Sequence, residues 1–111
     1  MRGAFIDPGR LRHELLLQQA TVADDGAGGH SETWTEVAPV FAQIEPFGAR
    51  SFFGAGQDME EATHRVIIRH RGDVRSGMRF LRAGRILHIV RIHDIDETGR
   101  YLACHVREEG R

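Results

Sequence analysis

The chain has 111 residues, 41% hydrophobic and 28% charged, with seven His, one Cys and a formal net charge of −1. That size suits one domain, residues 1–111, with one modest core, and a lone Cys104 excludes an internal disulfide and a Cys-based zinc cluster. No apolar run nears the ~20 residues of a membrane span and no secretory h-region opens the chain. The expectation is therefore a cytosol-like compartment and no membrane partner.

All fifteen basic residues are Arg. Their planar forks suit carboxylate and phosphate pairing, although biased base composition is the simpler origin. Their distribution is more informative. Residues 63–93 hold eight Arg against the single acid Asp73, a formal +7. Residues 1–62 hold four Arg against ten acids, −6, and residues 94–111 hold three Arg against five acids, −2. A nearly neutral chain is strongly polarised along its length.

Residues 1–10 read as an N-terminal arm in which Ala4, Phe5 and Ile6 are apolar enough to dock, for instance on another subunit. Residues 12–22 place Leu15 and Leu17 on one face and Glu14, Gln18 and Ala20 on the other. A turn or two of helix is equally within their propensity, but the link that follows, with Gly26, Gly28 and Gly29, favours a hairpin and hence a strand. Residues 33–37 and 40–46 form two further strand signals broken by Pro39, with Trp34 as a core or edge anchor. Residues 47–61, FGARSFFGAGQDMEE, show no sustained period. A link of that length is functional or disordered, and its Phe52–Phe53 pair either orders against a partner or folds back over the core.

Residues 63–94 carry two aliphatic runs, 66–68 and 86–92, separated by a link with Gly72, Gly77 and Gly84. In the first, His64, Val66, Ile68 and His70 share one face, and Thr63, Arg65, Ile67, Arg69 and Arg71 the other. In the second, Leu87 and Ile89 share a face while Ile92 has the opposite parity, so either both faces are buried there or a bulge near residues 90 and 91 resets the alternation, and the bulge is the favoured expectation. A turn at residues 96–99 leads to a last strand over 101–107, with Leu102, Cys104 and Val106 facing the core. The sum is an all-β chain: a small antiparallel β-barrel or sandwich of about six or seven strands, with a long loop between its early and middle strands.

No motif for chemistry rises above background. The histidines fall in no His-x-His, HExxH or Cys/His pattern, and His64 and His70 stand six residues apart, roughly 20 Å along a strand. Cys104 and His105 are neighbours and face opposite ways. The acid pairs at 24–25, 60–61 and 108–109 fall in turns or ends, where solvated charge is the default. No enzyme, metal site or cofactor is expected. The Arg-rich segment remains, and it has two readings. It is a phosphate-binding face of a nucleic-acid-binding barrel, using Arg65, Arg69 and Arg71, or it is one half of a protein contact whose other half is the acidic part of the chain.

Taken in order, GRLRHELLLQQ, DGAGGHSETWTEV, VFAQIEP, THRVIIRHRGDV and GRILHIVRIHDIDETGRYLACHVREE resemble the phage head–tail adaptor family, also called head-closure, stopper or head–tail joining proteins. Gene transfer agents use the same kind of part. Leu87 stands where the family tends to have an aromatic, and Ile92 replaces its Val. The resemblance implies a structural virion protein of small β-barrel fold, assembled in the bacterial cytoplasm. It implies a ring, usually of twelve copies, below the portal and its adaptor ring, which closes the filled head and docks tail terminator or other tail proteins. DNA would pass through without sequence specificity. A tail-completion role is the near alternative. By position, the candidate channel or docking loop is 47–61, with Phe47, Arg50, Phe52, Phe53, Gln57, Asp58, Glu60 and Glu61. The candidate subunit-interface charges are Arg65, Arg69, Arg71, Arg75 and Arg91.

Overall fold

The computed structural model describes residues 6–24, 26–47, 62–95 and 97–110. A one-turn 3-10 helix, Pro8–Arg10, precedes six strands: β1 His13–Asp24, β2 His30–Pro46, β3 His64–Arg69, β4 Arg79–Arg82, β5 Arg85–Asp94 and β6 Tyr101–Glu108. They pair in the order β1-β2-β3-β6-β5-β4, and β4 pairs back onto β1, so the sheet closes into a barrel. Every pairing is antiparallel. Closure removes the exposed edges that a six-strand sheet would otherwise carry.

Alternation in the sequence accounts for the filling. Leu15 and Leu17 of β1, Val40 and Ala42 of β2, Val66 and Ile68 of β3, and Leu102, Cys104 and Val106 of β6 all point inward and are buried. Phe80, Leu87 and Ile89 complete the interior from β4 and β5. The expected bulge is present: Ile89 pairs with Val106 and Arg91 with His105, so Val90 is the extra residue and Ile92 returns to the core side.

Two expectations fail for identifiable reasons. Pro39 does not divide residues 33–46; β2 runs through it as one strand. Pairing with β3 begins only at Ala42, so one edge of β2 is open at Pro39 and a missing N–H loses no ladder bond on that side. A bulge in the β1–β2 ladder, where Leu17 pairs with Ala38 and Gln18 with Glu36, takes up the extra residue. The second miss is β4, four residues inside what reads as a glycine-bearing link. Its turn into β5 is the pair Ala83-Gly84, with φ of 49° and 84°, the left-handed combination of a tight hairpin.

Strand length exceeds what the barrel uses. β1 meets β4 only at Leu16–Gln18, whereas its pairing with β2 continues to Asp24 opposite His30. The outer part of this hairpin is therefore a two-stranded ribbon standing clear of the barrel. It helps give the molecule its 55 × 31 × 26 Å extents.

Phe80 is fully buried at the strand that closes the sheet. Phe80→Ala is expected to cost about 3–5 kcal/mol, read as a lower denaturant midpoint. Ala83 bears a left-handed strain worth ~1–2 kcal/mol in a non-glycine residue, so Ala83→Asn should raise the same midpoint.

Candidate assembly surface

The root of the long loop is built into the barrel. The Phe47 N–H donates to the Thr63 carbonyl at 3.0 Å, and the Thr63 N–H donates to the Val106 carbonyl at 2.7 Å. The Thr63 hydroxyl accepts the Glu108 N–H at 2.8 Å. Departure and return of the loop are thus tied to each other and to the end of β6. Phe47 stands edge-on to His105 at 5.3 Å between ring centroids, and His105 stands edge-on to His93 at the same distance. Of the candidate loop residues, Arg50, Phe52, Phe53, Gln57, Asp58, Glu60 and Glu61 lie outside the described residues.

Glu108 corrects the expectation of a solvated acid pair. It has the parity of Leu102, Cys104 and Val106, and its side chain is only 5% exposed. Arg85 meets it with a two-pronged grip, Nε to Oε2 at 2.9 Å and Nη2 to Oε1 at 3.1 Å. Glu109, one residue on, faces out and takes His88 at 2.7 Å. A buried carboxylate needs such a partner. Strand parity was the signal for it, and the chain-end position hid it.

The Arg-rich segment is less available than its composition suggests. Arg65 donates from Nε and Nη2 to Glu45 at 3.0 and 2.7 Å. Arg71 grips Asp73 through two parallel bonds of 3.0 and 2.9 Å, which holds that carboxyl below its usual range. Arg69 lies 6.0 Å from the Tyr101 ring centroid. Arg75 is exposed on the link into β4, and Arg91 is exposed beside the β5 bulge. Among the described residues, no carboxylate is within ion-pair distance of Arg69 or Arg75. Arg79, absent from the candidate set, clamps the base of the ribbon. It donates to the Gln18 amide oxygen at 2.7 Å and lies 4.0 Å over the Trp34 ring, so that of the two expected roles, core or edge anchor, Trp34 takes the second.

The arm does not leave the barrel at once. Ile6, Asp7 and Arg10 line a groove of about 360 Å³ with Gln43, Glu45, Arg65 and Ile67 of their own chain. Ala4 and Phe5 lie outside the described residues. Phe41, 57% exposed, stands with Pro39, Arg69, His70 and Arg71 around a cleft of about 340 Å³. Burial pushes the Cys104 thiol up to about 12, which fits a core residue and not a nucleophile. No group of three His, Cys, Asp or Glu suited to a metal occurs among the described residues, and no helix is long and apolar enough to cross a membrane.

Apart from Glu108, the charged side chains among the described residues lie on the outside of a filled barrel, and comparison with known proteins identifies the kind of protein. The family model described as phage head completion protein matches residues 6–109. The chain belongs to that family. Head completion proteins are structural parts of virions and not a family of enzymes. The head completion protein gp7 of Enterobacteria phage HK97 is 30% identical over 74 residues, which span 67% of this chain and 66% of that protein. The solution structure of protein SF1141 from Shigella flexneri 2a has a TM-score of 0.77 at 25% identity, covering 96% of this chain and 99% of that one. A chain in the virion of a native gene transfer agent particle has a TM-score of 0.67 at 26% identity, covering 88% and 93%.

In this head completion protein, burial first, then the charges of His93, Arg91 and Arg65, lowers the His105 pKa to about 4. An unfolded chain with His near 6.5 binds that proton first. The neutral ring's contribution is complete above pH ~6.5 and is lost as the pH falls through the folded value near 4. His105→Phe keeps an aromatic ring against Phe47 and removes the titration. Its denaturant midpoint should fall less than the wild type's between pH 7 and pH 4; parallel curves would contradict the assignment.

Proposed function

We propose that this protein forms a ring in the head–tail connector, closing the DNA-filled head and presenting the surface on which the tail docks. Twelve copies, a portal or adaptor ring above and tail proteins below are parts of the same reading. The observation that carries it is the end-to-end family match over residues 6–109, supported by the likeness to a chain within an assembled gene transfer agent virion. The chemistry of the surface agrees. Three of the basic residues in the +7 segment, Arg65, Arg71 and Arg85, are occupied by carboxylates of their own chain. A duct for DNA works against itself if it neutralises many phosphates, because each one deepens the trap. Internal pairing of these Arg residues fits passage better than capture, and it weighs against a free nucleic-acid-binding barrel.

DNA gating by residues 47–61 belongs to this proposal as its finer part. Its support is the fixed root: Phe47 and Thr63 are joined at 3.0 Å, and Thr63 is bonded to β6, so any movement of the loop is pinned at one place on the barrel.

Particles produced without this protein should contain packaged heads that lose DNA and carry no tails, seen by electron microscopy and nuclease sensitivity of the packaged genome. Normal numbers of tailed, nuclease-resistant particles would refute the reading. If heads keep their DNA and lack only tails, docking stands and closure falls.

A further inference from the structure

We infer that the β1–β2 ribbon of one copy docks into the Phe41 cleft of a second copy, head to tail. This deepens the ring reading and rests on it. The two exposed large hydrophobic side chains among the described residues are Val22, 62% exposed, and Phe41, 57% exposed. Val22 pairs across the ribbon with Glu32, and Gln18, two alternations earlier, pairs with Glu36, so Val22, Glu32 and Glu36 share one face with Trp34, over which Arg79 lies at the base of the ribbon. Among the described residues neither glutamate has an ion pair. Phe41 has Glu14 as its cross-strand partner on β1 and borders Arg69, His70 and Arg71 on its other side, at the point where β2 has not yet begun to pair with β3.

Glu32 and Glu36 beside Val22 would complement Arg69 beside Phe41. A desolvated apolar centre with charges around it is how small interfaces combine affinity with orientation. The two halves cannot meet within one chain. Phe41 pairs with Glu14, eight residues before Val22 on β1, which puts the two roughly 27 Å apart along the ribbon. A contact between two different patches is heterologous, and it closes into a ring when the rotation between copies closes. The opposite face of the ribbon carries Thr21, Thr33 and Thr35, all exposed and uncharged, and takes no part.

Two differently tagged copies, one Val22→Cys and one Phe41→Cys, are co-expressed in particle-producing cells, and purified particles are oxidised mildly. Cys104 is buried and stays silent. The expected product is a covalent dimer joining the two tags, with none from either variant alone. Glu32→Arg with Glu36→Arg in the first copy should cut its yield at least tenfold, and Arg69→Glu with His70→Glu in the second should restore it. Particles that hold several copies of the protein per head and give no such dimer would overturn this interface and leave the ring reading intact. A Phe41→Cys link to a different virion protein would also overturn it, assigning the cleft to that protein. Particles holding a single copy per head would remove the ring reading and this contact together.

Discussion

Closure of the sheet through β4 is the constraint on which the rest depends. All four residues of Arg79–Arg82 pair with β5, the first three of them also pair with β1, and Phe80 is placed in the interior. Without that strand, β1 and β5 would each present an open edge, and the inward faces of Leu15, Leu17, Leu87 and Ile89 would lose their common filling. The β1–β2 hairpin is the longest pairing in the sheet. A strand too short to stand alone turns it into a barrel. Such dependence is ordinary in small domains, where one well-packed aromatic is a large share of the stability available.

Closure also sorts the surface. The barrel uses only the inner part of β1 and β2, and the surplus becomes the ribbon, held at its base by Trp34, Arg79 and Gln18. At the end of the barrel near Glu108, the loop root, the buried Arg85–Glu108 pair and the Thr63 bonds are joined. The ribbon projects from the barrel, and the root of the segment that begins at Phe47 is fixed to the barrel's end. Such a surface suits a head completion protein, a structural part of a virion assembled with other virion proteins. The large Arg count fits it as well. Several guanidinium groups are held by carboxylates or an aromatic ring of their own chain on the barrel surface.

Much of the fold was legible because a half-buried strand writes itself as alternation. The inward residues of β1, β3 and β6 follow directly from it, and the parity break at Ile92 placed the β5 bulge. Pro39 misled because a proline reads as a break until one knows which edge of the strand is unpaired. Glu108 misled because a doublet of acids near a chain end looks solvated until its strand is known to continue that far. Arg65 and Arg71 were named as candidate subunit-interface charges, but their own-chain partners Glu45 and Asp73 were not assigned, since one lies across a strand pairing and the other beyond a turn.

By itself the sequence determined the class of fold, the inward faces, the polarised charge and, through its ordered motifs, the family. All of these are local or cumulative properties, and a linear string preserves them. Tertiary structure alone decided that the sheet closes and which strand closes it. It decided that Glu108 is buried, that Arg79 rests on Trp34, and that Val22 and Phe41 stand exposed. The physical reason is one of distance. Each of these depends on residues far apart in the chain meeting at one register, and register is set by the whole set of pairings together.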